Sequence, residues 1–248
     1  MDDERRLADS LPSDAQQLLL SHDQLSGNQP NDVDEQLPVE VAGTLAGIQR
    51  AAELSQIPLA PGDANQGREV FPEGQYDGDA QQVDLRTVNS WRLKLAEVPT
   101  VELLEVQLVN AVAPFVLNSR LKPLMLKTQN HDKHIVNVSA MEGIFYRAYK
   151  RDTHPHTNMA KAALNMMTRT SAVDYVRDGI HMNSVDTGWI TDEDPAEIAA
   201  RKKTELNFTT PLDQIDAAAR ICDPIFAGLL SGEHVWGKFL KDYQVANW

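Results

Sequence analysis

From residue 99 onward the apolar positions alternate between helical and strand periods. Pro99-Thr100 before Val101-Glu102 marks a helix start with Thr100 as cap, and Leu104, Leu108, Val112, Phe115, Val116 and Leu117 carry that helix to about Met125. It is apolar around most of its circumference, so it should be covered on two sides. His134-Ile135-Val136-Asn137-Val138-Ser139 then reads as a buried strand. A second helix, from about Asn158 to Val176, gathers Met159, Ala163, Met166, Met167 and Ala172 on one face and stops before Gly179. Ile180 to Val185 is the next strand, Thr210-Pro211-Leu212-Asp213 opens a third helix to about Leu230, and His234 to Leu240 is the last strand. This order predicts an α/β fold, a partial doubly wound sheet of the Rossmann kind. The three strands should be adjacent and parallel, with helices 100–126 and 157–178 on the same face. Ligands in such sheets meet the carboxyl ends of the strands, which points to Ser139–Gly143 and Asp186–Thr191.

The first part of the chain has another composition. Residues 1–80 hold sixteen acidic residues against four arginines and no lysine, a balance of −12 that leaves −1 for residues 81–248. With Pro12, Pro30, Pro38, Pro58, Pro61 and Pro72 it reads as an acidic, loop-rich segment, helical only at Asp14–Leu20 and from about Val39 to Leu54. We therefore expect two regions, 1–80 and 81–248. The net charge of −13 excludes a general nucleic-acid binder, which needs clustered Lys and Arg. No run of eighteen apolar residues is free of charge, so no membrane span is expected. The acidic N-terminus lacks the features of a signal peptide, and the single cysteine, Cys222, forms no internal disulfide, which together predict a cytoplasmic setting.

Four motifs stand in order. They are Val109-Asn110-Ala111-Val112-Ala113-Pro114-Phe115, then Ile135 to Gly143, then Asn158-Met159-Ala160-Lys161-Ala162-Ala163-Leu164, then His181-Met182-Asn183-Ser184-Val185-Asp186-Thr187-Gly188. Over residues 95–245 the chain resembles the second half of a short-chain dehydrogenase/reductase. The resemblance implies an NAD(P)-dependent oxidoreductase acting on a small carbonyl or alcohol compound. It implies a homo-oligomer through helices 100–126 and 157–178, with no nucleic acid or membrane partner.

The family's chemistry maps onto the chain with departures. In that family a Tyr in YxxxK donates a proton, assisted by the Lys one helical turn later. Lys161 stands at the Lys position, but Thr157 occupies the Tyr position. A Thr hydroxyl is a far weaker acid than a phenol. The carbonyl-polarising Ser aligns with Ala140, leaving Ser139 as the neighbouring hydroxyl, which strand alternation should turn to the other face. Asn110 matches the active-site Asn. The resemblance thus implies Lys161, Asn110, Ser139 and Thr157 as catalytic positions, Lys161, Thr187, Gly188 and Ile190 as cofactor-binding positions, and no metal. Tyr146 or Tyr149 could supply a displaced phenol.

The pyrophosphate turn has one candidate, Gly43-Thr44-Leu45-Ala46-Gly47-Ile48-Gln49, where Gln49 replaces the third glycine. A helix with small residues fits that stretch better. The chain therefore resembles a family member without its dinucleotide-binding half, in which residues 1–80 correspond to the acidic insertion of longer, atypical members and Met1 is an internal start. Alone, it is expected to have little dehydrogenase activity. The alternative is a non-catalytic fragment serving oligomerisation or binding. Asp186-Thr187-Gly188 also spells the aspartic-protease triplet, which the helix-strand order contradicts. His131, His134, His154 and His156 read as loop histidines rather than metal ligands.

Overall fold

The computed structural model describes Gly67, residues 69–146 and residues 149–248. In chain order the main elements are α1 (Thr100–Met125), β1 (Lys133–Ser139), α2 (Pro155–Val176), β2 (Ile180–Asp186), α3 (Ala196–Leu206), α4 (Gln214–Ser231), β3 (Phe239–Lys241) and β4 (Gln244–Ala246). The sheet order is β1-β2-β3-β4. β1 pairs with β2 and β2 with β3, both parallel, as the periodicity predicts, and β4 turns back antiparallel along β3. The last parallel strand is shorter than expected. Its ladder begins at Phe239, and Gly237, with φ 64, precedes it.

Local chemistry explains most boundaries. Asp213 caps α4 by accepting from the amides of Ile215 and Asp216 at 2.8 and 3.0 Å, while the Asp216 carboxylate accepts from Asp213 N at 3.1 Å. Gly232, with φ 74, ends that helix. Thr100 is the first residue of α1 and not its cap; Pro99 takes the cap position, with no side-chain bond. Within α1 the chain widens to a π turn over Leu108–Val112.

Strand alternation sorts the two faces of the sheet. Ile135 and Met182 pack with Ala172 and Tyr175 of α2, whereas His134 and His181 lie on the side where α4 brings Gly228 against His134 and His234. α1 and α2 contact each other and β1, on the same face. There a buried polar chain joins four elements. Asn118 of α1 donates to Asn137 Oδ1 at 3.0 Å, Asn137 and Ser184 each donate to Thr168 Oγ1 at 2.9 Å, and Thr168 donates to Leu164 O at 2.9 Å.

α1 carries no buried residue. Phe115 and Leu117 are 59% and 57% exposed. The expectation that no segment is long and apolar enough to cross a membrane is therefore corrected: by length and composition Thr100–Met125 qualifies, with an 18-residue stretch of mean hydropathy 1.5. Glu105 and Arg120 bracket its charge-free stretch, which is why a strict apolar run does not find it.

On the α4 side, His134, His181 and His234 pack ring to ring, with centroids 4.3–5.4 Å apart. The expectation of loop histidines fails for His134, which sits on β1, and for His156, which is 1% exposed on α2. Burial, then His181 and His234, push His134 down to about 4 from 6.5, and burial lowers His181 as well. His134 and His181 resist protonation in the folded chain, so their contribution is complete above pH 6.5 and is lost as pH falls toward 4. The urea midpoint should fall across that window, and His134→Phe, which keeps the ring, should flatten the fall. An equally steep fall in the variant would assign it to other groups.

Candidate functional site

Parallel register ends β1 and β2 level, Ser139 opposite Asp186. Beyond them, two turns face each other. Asp186 is buried, and its carboxylate accepts from Met141 N at 2.7 Å and Gly188 N at 2.5 Å, tying both turns together; Lys241 Nζ stands 3.7 Å away. Gly188 has φ 83, and a Cβ there would collide with Leu212. On the other turn Gly143 lies against the α2 backbone, where a Cβ would stand 2.5 Å from Lys161 C and 2.7 Å from Ala162 N.

Between the turns opens a cavity of about 590 Å³, lined among others by Ala140, Met141, His154, Asn158, Asp186, Thr187, Gly188 and Ile190. Its far wall is Trp91 with residues 192–194, which residues 84–92 hold in place. Ala196 N donates to Asp84 O at 2.8 Å and Asn89 Nδ2 to Glu193 O at 2.7 Å, while Arg92 grips Asp194 with two bonds, one at 2.6 Å. Lys202 Nζ adds contacts to Asp194 at 2.7 Å and Asp192 at 2.5 Å. Burial pushes the Asp194 carboxyl up, yet the bonds from Lys202 and Arg92 outweigh it and hold its pKa below the usual carboxylate value. Trp91, Asp192, Glu193 and Asp194 also line a second cavity, of about 550 Å³, on the other side of this wall.

The structure separates the residues that the sequence grouped. Thr187, Gly188 and Ile190 line the larger cavity; Lys161, Thr157, Ser139 and Asn110 do not. Lys161 Nζ donates to Val138 O at 3.2 Å, and burial lowers its pKa against the opposing pull of Glu142. Ser139 is buried, and its Oγ has no hydrogen-bond partner. Asn110 sits in the π turn and bonds back to Val106 O at 3.2 Å. Thr157 is half-buried in the first turn of α2. Tyr149 lines the cavity at 72% exposure, and Tyr146, at 74%, does not. The pyrophosphate-turn candidate 43–49 lies outside the described residues.

Sequence reading missed the wall and His154. Trp91 and Arg92 sit in a single 3-10 turn over Ser90–Arg92, too short for periodicity to show, and His154 lies in an irregular stretch. The signal available was Pro155, which marks the first residue of a helix and so makes its neighbour a cap.

Gly188 takes a left-handed conformation that lets backbone approach closely, with Thr187 and Ile190 beside it on the cavity. Among the described residues no glycine-rich turn follows a strand to receive the pyrophosphate.

Residues 88–223 match the family described as enoyl-(acyl carrier protein) reductase. Among curated relatives, the uncharacterized protein R665 of Acanthamoeba polyphaga mimivirus is 33% identical over 150 residues, covering 58% of this chain and 31% of its own. The uncharacterized oxidoreductase YxbG of Bacillus subtilis (strain 168) is 34% identical over 92 residues, or 37% of this chain and 31% of its own. The alignments thus span about a third of the length of these relatives. Among solved structures, the carbonyl reductase Sniffer of D. melanogaster superposes with a TM-score of 0.50 at 22% identity, over 66% of this chain and 64% of that one, a likeness of fold alone.

Gly143→Ala tests the close approach that holds the first turn against α2. With backbone atoms inside 3 Å of the added carbon, the turn must shift. The variant should lose about 1–3 kcal/mol in urea denaturation, the usual range for overpacking. Unchanged stability would show that the turn moves freely.

Proposed function

Because the chain belongs to the short-chain dehydrogenase/reductase family, we propose that the cavity between its two strand ends carries out NAD(P)-dependent oxidation or reduction of a small alcohol or carbonyl compound. The observation that carries this reading is the cavity's position: it opens at the carboxyl ends of β1 and β2 and is lined by Thr187, Gly188 and Ile190 of the turn that the family uses on the nicotinamide side. NAD(P), when bound, supplies or accepts a hydride. The chain's own part is to hold the substrate carbon beside it and to move the proton at the substrate oxygen.

Thr187, Gly188 and Ile190 would hold the nicotinamide end. Lys161, held to the Val138 carbonyl, and Asn110 do not line the cavity, so by the resemblance they would act through a water relay to the substrate oxygen. The Tyr position is filled by Thr157, a weak acid, so turnover should be slow. It should be slower still if the pyrophosphate finds no turn within this chain, since positioning can be worth ~7–11 kcal/mol of barrier.

A second reading, a non-catalytic oligomerisation or binding module of the same fold, draws on α1, none of whose residues is buried. Both readings share a homo-oligomer formed through α1 and α2, which would cover Phe115, Leu117, Met159 and Met166.

Titration with NADH separates the two readings. Trp189 lines the cavity at 48% exposure and Trp91 lines it too, so tryptophan fluorescence should be quenched saturably at micromolar NADH, and Trp189→Phe should reduce that signal. No saturable change up to millimolar NADH would favour the module. For the shared interface, Phe115→Glu should move a dimer to a monomer on size exclusion with the circular dichroism spectrum retained; an unmoved elution volume would exclude α1 as the contact.

A further inference from the structure

We propose that His154 is the proton-transfer group of this cavity, taking the role for which Thr157 is chemically unsuited; the proposal rests on the redox reading above. His154 occupies the cap position of α2 with φ 44 and ψ 48, a left-handed conformation uncommon for a residue other than glycine. A cap residue ordinarily earns its place by a side-chain bond to the first helical amides. His154 makes none. Its Nδ1 is buried with no hydrogen-bond partner, so helix capping does not account for the ring.

What the surrounding structure does is hold that ring at the cavity. His154 N donates to Leu93 O at 2.7 Å, Asn158 N donates to His154 O at 3.2 Å, and Lys94 bridges Thr153. The Trp91 indole meets the imidazole edge to face at 4.7 Å. His154 and Asn158 both line the cavity, and Lys161 continues the same helical face at the seventh position. A residue in an uncommon backbone conformation, fixed on three sides, with its Nδ1 buried and unbonded, is the pattern expected of a group kept for a ligand.

Chemistry selects it over its neighbours. Lys202 is committed to Asp192 and Asp194, and Tyr149 stands 72% exposed at the rim. Burial lowers the His154 pKa, opposed by Glu142 and by the Asn158 side chain and assisted by His156, so the imidazole is neutral near pH 7 and ready to accept a proton. In the oxidation direction the substrate O–H bond breaks and its proton passes to the imidazole. The C–H bond breaks with its electron pair, the hydride passing to an oxidised nicotinamide dinucleotide, and a C=O bond forms. Reduction returns the proton from imidazolium to the carbonyl oxygen.

The test compares the full chain with His154→Asn, since Asn accommodates a left-handed backbone and does not titrate. Circular dichroism checks that both are folded. With NADH and isatin as the carbonyl probe, kcat should fall about 10²–10⁴-fold while KM changes little, and the wild-type pH dependence of kcat should disappear. An unchanged kcat and pH profile overturns the proposal. A second arm needs no turnover. In ¹³C-histidine spectra, isatin should shift the ring resonances of His154, identified by their loss in the variant, and leave the other six histidines in place. No shift at His154 with saturating isatin also overturns it. If neither protein turns over NADH, the redox reading fails, and the resonance shift alone decides whether His154 faces the substrate.

Discussion

One carboxylate holds the working end of this fold together. Parallel pairing stops β1 and β2 at the same level, so the chain leaves the sheet twice at one edge, and Asp186 accepts an amide from each departing turn. A buried carboxylate is costly without partners, and two backbone amides with a lysine nearby offset that cost. The reverse also holds. Without the carboxylate, two amides beside a cavity would lose their acceptor, and with it the link between the two turns. The spacing of the two turns is therefore set at Asp186, which lines the cavity itself.

Deeper in the sheet, polar residues do the work that an apolar core leaves undone. Asn137 and Ser184 sit directly opposite each other on central positions of β1 and β2, and both donate to Thr168. Apolar packing of Ile135, Met182, Ala172 and Tyr175 would tolerate small sliding of α2 along the strands; a shared hydroxyl would not. A slip of one residue would strand an amide and a hydroxyl in the interior, at about 1–3 kcal/mol each, although each bond contributes only about 1 kcal/mol when made. Register and helix position are in this way coupled, and the coupling carries upward to the level ends at Ser139 and Asp186.

How much of this was legible in the sequence depends on the range of the interactions involved. Helix periods, the Asp213 cap and the strand runs are local signals, and the parallel order follows from alternation, so the sheet from β1 to β3 could be read directly. β4 could not, because three residues after Asp242 and Tyr243, both with positive φ, give no periodicity. α3 escaped notice for a related reason: it exposes Arg201, Lys203 and Glu205 and buries no residue fully. The turn at Asp186–Thr191 was legible as a place because cavities in a parallel sheet open at the carboxyl ends of its strands. The wall and His154 were not. Their placement comes from contacts such as Asn89 to Glu193 and Leu93 to His154, which span sixty to a hundred residues of chain.

Those long-range contacts also bear on what is particular to this chain. The stretch that matches the family begins at residue 88, yet the wall is anchored from Asp84, whose carbonyl receives Ala196 N and whose carboxylate holds Arg86 at 2.7 Å. Burial raises the Asp84 carboxyl, and the bonds from Arg86 bring it below its ordinary value, so the anchor keeps its charge at neutral pH. The loop that carries α3 is thereby fastened at three levels, by a backbone bond at Asp84, an amide at Asn89 and an ion pair at Arg92. A loop fastened along its length presents a defined surface, and here that surface turns Trp91 onto His154. The strand ends supply a position for chemistry that many sequences of this fold share; the irregular segment before α1 decides which side chain stands at its mouth.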